Sequence, residues 1–462
     1  MEKEIEMEME KEVICIDERI ERHVEHFTQT ERIQMSSIVL DDRVCIRKSV
    51  DHALVQQYAD CLDEIEALGN YIVVNQHGYL LDGKHRYLAY KKNYDGKDAS
   101  IPVYIYKAET DSERLSIAVK LNSTHGKQLS EEDKKRCAIS LYSEHQYTLE
   151  QIAKLLSVRK DKVSDWTSKI RKAEKIRLWE TIFDLWLACF TSDQIAKLTN
   201  KHEGTIKGII AKEEFRTFLG TKKTKFSLFG DIDDGETVRP LYNDWRFTRN
   251  ENGSTHFGNT DPRILEWLLY LYTKPFDIVL DPFAGGGTMI DVCRERLRRY
   301  WVSDRKPIPE RPNEIRLLDI VQETPPLNNR WSDVRLTFLD PPYWKQAEGK
   351  YSDSPDDMGN MDLENFHDDL ASIINKIAQH QSAGFIALLI QPTQWHSQER
   401  RFIDHGFEMM LRADKKRLRL ENRISCPLGT QQCTPPMVNW AKANRKLLVL
   451  NRELIVWEIQ TT

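Results

Sequence analysis

The sequence predicts a multidomain chain of three folded segments: an α+β N-terminal domain, an all-α middle, and an α/β C-terminal domain built on a parallel sheet. Three observations predict it. Residues 71–106 alternate β-rich runs with one helical run, residues 148–213 hold two copies of a short-helix pattern, and residues 276–304 run strand, glycine turn, helix, strand. The chain of 462 residues, 40% hydrophobic and 30% charged, is long enough for several cores. No run of about 18 apolar residues is present and no signal-peptide pattern opens the chain, which excludes a membrane protein and predicts no membrane partner. Eight cysteines without a C-x-x-C pair predict reduced thiols and a cytoplasmic location. Cys426 and Cys433 are too loosely spaced to predict a metal, and none is expected.

Residues 1–35 alternate charged and small apolar side chains and read as a charged leader, solvated and either helical or frayed. Residues 36–128 form the α+β domain. Within it YIVV gives a strand, His77-Gly78 a turn, and IPVYIYKAE a later strand, with a helix opening at Asp82-Gly83-Lys84-His85-Arg86. Glycine followed by basic residues at a helix start suits an anion, because free amide N–H groups and positive side chains converge there.

Residues 129–225 read as a tandem helix-turn-helix region. TLEQIAKLLSVRKDKVSDWTSKI (148–170) and TSDQIAKLTNKHEGTIKGIIAKE (191–213) align without gaps, and both carry QIAKL. In each, Thr caps a short helix, a polar turn follows, and a second amphipathic helix begins, the pattern that lays its second helix in a major groove. The first turn falls near Ser157-Val158. Arg159, Lys160, Lys162, Ser164 and Asp165 then form the exposed face, with Val163 and Trp166 packed inward. An ordinary helical hairpin suits QIAKL as well. Residues 113–225 hold 23 Lys and Arg against 15 Asp and Glu, a segment of +8 in a chain of −5, which points to a polyanion.

Residues 226–249 read as a linker from their Gly, Asp and Lys content, and residues 250–462 as the α/β domain. FDIVLDPFAGGGTMIDVCRERLRRYWVSD gives a strand, a turn over 281–288, a helix and a second strand ending at Asp304. Three consecutive glycines let the backbone approach a ligand closely at the carboxyl end of a parallel sheet. The loop lacks the Lys-Ser/Thr of a phosphate-cradling P-loop and the spacing of a dinucleotide fingerprint. Asp304 stands where a carboxylate would hold ribose hydroxyls, and Asp319 where a third strand would end. LTFLDPPYWKQ then ends a buried strand with a carboxylate, two prolines and two aromatics, which the prolines hold rigidly. Residues 345–362 read as a loop able to close over a ligand. Residues 411–423, with Lys415, Lys416, Arg417, Arg419 and Arg423, read either as a phosphate-contacting loop or as a solvated strand edge.

These motifs carry two resemblances. LDGKHRYLAY resembles the glycine-basic box of the ParB N-terminal domain, and LNSTHGKQLS (121–130) is similar to its second nucleotide-contacting box, with a helix-turn-helix following in the same order. ParB proteins bind DNA and, in many cases, CTP at these boxes. The resemblance therefore implies DNA contacts at Gly83, Lys84, His85, Arg86, Asn122 and His125, beside those expected of Arg159, Lys160, Lys162 and Ser164 and of Lys415, Lys416, Arg417 and Arg419. The family's acidic-basic-basic run is Lys84-His85-Arg86 here, and Leu121 replaces the acidic residue usual before Asn122, which counts against CTP.

DPFAGGGT, an acidic second-strand end and DPPYW together resemble the S-adenosylmethionine-dependent DNA methyltransferases that modify adenine N6 or cytosine N4, over residues 250–462. That resemblance implies a Rossmann-like fold. It places the cofactor's methionine moiety at Asp281, Pro282, Phe283, Ala284, Gly285, Gly286, Gly287 and Thr288, its ribose at Asp304 and its adenine at Asp319, with His256 and Phe257 helping to close the pocket. Asp340, Pro341, Pro342, Tyr343 and Trp344 are then the catalytic residues. An exocyclic amine is a poor nucleophile because its lone pair is delocalised into the ring. If the Asp340 carboxylate and the Pro341 carbonyl each accept one N–H, the lone pair turns toward the sulfonium methyl. The target base must leave the duplex, and Tyr343, with Trp344, offers it a stacking face. In family terms an initial Asp leans to adenine. The expectation is a fused ParB-like and methyltransferase protein of bacterial, phage or plasmid character, a solitary modification enzyme of double-stranded DNA, with a homodimer as an option. Its rivals are a ParB-like partition protein with an inactive methyltransferase domain, and an enzyme of RNA or of protein glutamine amides.

Overall fold

The computed structural model describes residues 27–44, 46–47, 49–124, 129–215, 217, 242–246, 260–346, 348–349, 353–395, 400–428 and 433–461. The chain divides into two compact units, residues 1–176 and 177–462.

The first unit holds a four-stranded sheet of order β1-β4-β2-β3, with β1 Phe27–Gln34, β2 Ile72–Asn75, β3 Leu80–Asp82 and β4 Ser100–Tyr106. β2 runs parallel to β4, and β1 and β3 are antiparallel to their neighbours. The leader expected over 1–35 thus ends in a strand. An edge strand tolerates charge on its solvated face, which is why TERIQ disguised one. Residues 1–26 lie outside the described residues. The helices are α1 His52–Asp60, α2 Leu62–Ala67, α3 Lys84–Asn93, α4 Asp111–Thr124, α5 Glu131–Ser143 and α6 Leu149–Leu155. Gly83 caps α3 with φ 93°, and a Cβ there would come within 2.9 Å of Ile72 Cγ2.

The first helix-turn-helix copy folds as its sequence dictates. Thr148 and Gln151 form a reciprocal capping box on α6, Ser157 turns the chain with φ 50°, and α7 Lys160–Leu187 follows. Val163 is fully buried with Ile152 and Leu156, and Trp166 packs against them. The all-α middle does not stand as one domain, however. Nothing in α7 breaks a helix, so it runs through 28 residues, and its later part carries Trp179, Ile182, Phe183 and Trp186. Those side chains, with Ile195 and Ala196 of α8 Ser192–Thr199 and Ile206 and Ile209 of α9 Glu203–Ile210, belong to the core of the second unit.

That unit is built on a seven-stranded sheet of order β10-β11-β9-β8-β5-β6-β7. The strands are β5 Ile278–Asp281, β6 Arg299–Asp304, β7 Arg316–Leu317, β8 Val334–Leu339, β9 Phe385–Ile390, β10 Leu418–Pro427 and β11 Asn451–Ile459. β11 is antiparallel to both neighbours, and the others run parallel. Helices α10 Pro262–Tyr272, α11 Thr288–Glu295, α12 Leu363–His380, α13 His405–Arg412 and α14 Pro435–Asn444 complete it. The residues of β5 are all buried, as expected of a central parallel strand. Strand order reverses between β5 and β8: β6 and β7 extend the sheet one way and β9 the other. At such a switch point the connections leave in opposite directions and a crevice opens at the carboxyl ends. Part of the expected linker is packed: Trp245 N donates to Ser425 O at 2.7 Å, and its ring stands edge-on to Trp267.

Candidate active site

Asp281 ends β5 and Asp340 follows β8, its neighbour in the sheet, so the strand order brings both carboxylates to the switch point. They line one cavity of about 470 Å³ together with Pro282, Phe283, Ala284, Gly285, Thr288, Asp304, Asp319 and Pro342. Gly286 and Gly287 stand off its wall. Gly287 shapes the loop instead, capping α11 at φ 82°, where a Cβ would come within 2.9 Å of Arg311 Cδ. Asp304 accepts from Gly285 N at 3.0 Å and Lys306 N at 2.8 Å, tying the end of β6 to the glycine loop. Asp319 accepts from Val321 N at 3.0 Å and pairs with Arg305 at 3.3 Å. Arg305 in turn donates to Asp356 O at 3.0 Å, and Asp356, Asp357 and Met358 complete the wall. Part of the 345–362 segment thus covers this cavity.

Six carboxylates line the cavity (Asp281, Asp304, Asp319, Asp340, Asp356 and Asp357) against two cations, Arg305 and Lys306. Such a balance repels phosphate and attracts a cation. Burial pushes Asp281 up to about 8, and the nearby Asp340 and Asp304 raise it further against one backbone hydrogen bond. Burial also raises Asp340, opposed by a hydrogen bond from Thr260 and by the charge of Arg452. The Tyr343 hydroxyl, buried beside Asp340 and Arg452, is pushed well above the usual phenol range by burial and then by Asp340. Burial works against the charge of Arg452, yet Tyr343 and Asp340 outweigh it. The Tyr343 ring remains part-exposed.

Sequence reasoning missed Thr260 and Arg452. Thr260 lies three residues beyond the His256-Phe257 pair that was singled out, and that pair lies outside the described residues. Arg452, a cation at the start of an apolar strand, is a signal only once the strand order puts β11 two places from β8.

Trp344 departs from expectation. It is buried, its Nε1 donates to Met361 O at 3.0 Å, and its ring packs edge-on to His405, so it supports the loop and offers no stacking face. Behind it His367 Nε2 meets His405 Nδ1 at 2.9 Å, His405 Nε2 meets Thr393 Oγ1 at 3.0 Å, and Thr393 Oγ1 donates to the Trp344 carbonyl at 3.1 Å. Burial lowers His405 to about 3 and also lowers His367, so both imidazoles are neutral near neutral pH.

The expected DNA contacts are placed as follows. Lys84 Nζ donates to Arg47 O at 2.7 Å, and His85 Nε2 accepts from Asp51 N at 3.0 Å. Arg86 pairs with Asp82 at 3.0 Å and donates to Asn70 O at 3.2 Å, while Asn122 accepts from Arg47 Nε at 3.2 Å and donates to Ala118 O at 2.9 Å. The polar atoms of this box hold the fold together, because His85, Arg86 and Asn122 are buried and must find partners there. His125 lies outside the described residues. On the helix-turn-helix, Arg159 and Lys160 are exposed and Lys162 and Ser164 half-exposed, with ion pairs from Lys160 to Glu150 and from Lys162 to Glu131. Exposed pairs of this kind hold little energy, and phosphates could displace them.

Residues 415–419 sit far from Asp340. Leu418 pairs with Ile459 at the end of antiparallel β11, which is the amino edge of the sheet, about 20 Å from the carboxyl edge for strands of this length. Arg417 is spent on Ala378 O at 2.7 Å and Arg419 on Glu458, while Lys415 and Lys416 are exposed. The 411–423 stretch takes in the end of α13, a turn and the start of edge strand β10, away from the site.

A doubly wound sheet thus brings a glycine loop and an Asp-Pro-Pro-Tyr loop to an acidic crevice at its switch point, where the charge favours a cation over an anion. Parts of the chain are similar to known proteins. A family model described as DNA methylase matches residues 139–307, a stretch that takes in the glycine loop and Asp304 and stops before Asp340. The Type II methyltransferase M.XycI of Xanthomonas campestris pv. cyanopsidis is 27% identical over 113 residues, 24% of this chain and 38% of that protein. The chain thus matches well under half the length of this curated relative. Similar solved structures include the C-terminally truncated chromosome-partitioning protein ParB of Caulobacter crescentus complexed to the centromeric parS site (14% identity, TM-score 0.22, 42% of this chain and 90% of that one). A Pnob8-like ParB-N domain is a further one (15% identity, TM-score 0.22, 42% and 96%).

Proposed function

We propose that this protein transfers a methyl group from S-adenosylmethionine to an exocyclic amine of double-stranded DNA, adenine N6 in preference to cytosine N4. The observation that carries the reading is the meeting of Asp281 and Asp340 in one acidic cavity at the switch point.

The cavity fits the cofactor on its own chemistry. Its volume of about 470 Å³ is that of a small-molecule site. Phe283, Leu318, Ile320 and Val321 give it apolar walls for a purine, and the Asp304 carboxylate at the end of β6 lines it where ribose hydroxyls would donate. Asp281, starved of positive partners, would regain its charge beside an ammonium or sulfonium. When bound, S-adenosylmethionine supplies an electrophilic methyl on a cationic sulfur. The protein's own part is positioning. Asp340 and the Pro341 carbonyl accept the two N–H groups of the target amine, Thr260 holds Asp340 in orientation, and Arg452 keeps it an acceptor despite its burial. Tyr343, anchored through its hydroxyl, turns its ring to an extruded base. The amine proton released after transfer passes to Asp340, whose burial raises its proton affinity.

Duplex recognition falls to the helix-turn-helix face of Arg159 and Lys160. CTP has no part in this reading, because the polar atoms of the glycine-basic box are engaged within the fold. The test is nucleoside mass spectrometry of mixed-sequence duplex DNA incubated with the full chain and S-adenosylmethionine, beside Asp340→Ala. N6-methyladenine formed only by the intact protein is the expected result. N4-methylcytosine in its place would move the target to cytosine. Neither base methylated, with duplex still shifted in a gel, would favour a DNA-binding protein with an inactive methylase domain.

A further inference from the structure

A second concavity, of about 1480 Å³, opens on the second unit. It lies on the same carboxyl edge as Asp340. Pro392 and Gln394 follow β9, Pro427 ends β10 and Asn451 starts antiparallel β11, and all four line it. It is also joined to the catalytic loop. Gln346 Nε2 donates to Pro392 O at 3.3 Å, and Arg452, next to Asn451, carries the charge felt by Asp340 and Tyr343.

The lining is strongly cationic. Arg400, Arg401, Arg445 and Lys446, with Arg246 paired to Asp244 at 2.9 Å, face one lining acid, Glu453, which is itself paired with Arg423. Arg400 is fixed in place: its guanidinium lies 4.1 Å from the Trp395 ring centroid and 4.7 Å from that of Trp440, and the two indoles pack edge to face at 5.7 Å. A guanidinium stacked in this way loses little entropy on meeting a phosphate, unlike a loose surface lysine. Phe402 and Leu447 stand on the rim, 57% and 89% exposed, an unusual place for apolar side chains among cations. Fixed cations, indoles and apolar rim residues together match the phosphate backbone and exposed base edges of a nucleic acid, and the sign of the charge excludes a basic partner surface.

We infer that this groove is where duplex DNA docks against the catalytic unit, with Arg400, Arg445 and Lys446 on its phosphates. The inference rests on the methylation reading for the choice of DNA, and the test separates the two. Full-length Arg445→Glu/Lys446→Glu is compared with Lys415→Glu/Lys416→Glu, which makes the same change in net charge at the opposite edge of the sheet. Fluorescence anisotropy follows binding of a labelled mixed-sequence duplex over a range of salt, and equilibrium dialysis follows S-adenosylmethionine. The groove variant weakens duplex binding about tenfold and lowers the salt slope by about two, whereas the edge variant changes neither. Both bind S-adenosylmethionine as the unaltered chain does. Equal weakening by the two variants, or none by the groove variant, overturns the inference, and tighter binding of an RNA duplex overturns the assignment to DNA. Loss of duplex affinity in the groove variant of a chain that methylates nothing leaves the groove standing and removes the methylation reading.

Discussion

Two glycines open helices in this protein in nearly the same way, and the polar groups around them are satisfied very differently. Gly83 caps α3 at φ 93° and Gly287 caps α11 at φ 82°, neither with side-chain help. In the first loop Lys84, His85, Arg86 and Asn122 are bonded to backbone and neighbours. In the second, Asp281 is buried and Asp340 half-buried in one cavity, and desolvation raises both carboxyls. The sequence of a loop advertises which groups are near a ligand. Whether those groups are already satisfied decides what they can bind.

Experiments can break or sharpen that contrast. The largest effect is expected of Asp340→Ala: methyl transfer falls by about 10³-fold or more while S-adenosylmethionine binding, by dialysis, changes little. Loss of both together would mean that the carboxylate serves the cavity's shape rather than the amine. Next comes Asp281→Asn, which weakens S-adenosylmethionine about a hundredfold by calorimetry. The unaltered protein should bind the cofactor more tightly as pH rises toward about 8, because the ionised Asp281 is the form a cation selects. The stability sign is opposite. With a folded value near 8 against 3.8 unfolded, the unaltered chain loses stability as pH rises between those values, so the Tm advantage of Asp281→Asn widens up to about pH 8 and then levels. A flat difference would show that Asp281 is already ionised. Arg452→Gln removes the cation beside Asp340, so the acid limb of the pH–rate profile moves to higher pH and the rate at neutral pH falls about tenfold. The smallest effect belongs to the first loop: Lys84→Met costs about 1 kcal/mol of stability by denaturant melt and leaves duplex affinity unchanged. A drop in duplex affinity would restore the box as a DNA contact.

Much of the second unit was legible because a parallel sheet writes itself plainly. IVLD, YWVSD, LTFL and FIALLI are continuous apolar runs ending in turn residues, and each is a strand. The glycine loop, Asp304 and Asp340 were legible for the same reason, since they follow those runs. Thr260 and Arg452 were not, because they enter the site through contacts set by strand order rather than by spacing along the chain. β1 escaped, and β10 was left between a phosphate-contacting loop and a solvated strand edge, because edge strands carry charge and charge reads as solvated leader or loop. Trp344 was misplaced because the residue after Tyr343 could face either the cavity or the core, and only the packing of α12 and α13 settles which. The two QIAKL repeats were correct as local structure. Their shared pattern gave no hint that Trp179, Phe183 and Trp186 would carry the second copy into a different core.

The chain of contacts behind Trp344 has a direction. Thr393 spends its only hydrogen on the Trp344 carbonyl, so His405 must donate to Thr393 through Nε2 and accept at Nδ1, and His367 must donate from Nε2. The protons therefore point one way along four residues, toward the backbone that carries Asp340. The two imidazole links cannot reverse independently, and an added proton on His405 Nδ1 would face the hydrogen already on His367 Nε2. Much as a ratchet pawl seats a wheel, this single-file polarity holds the peptide behind the Asp340–Tyr343 loop in one orientation.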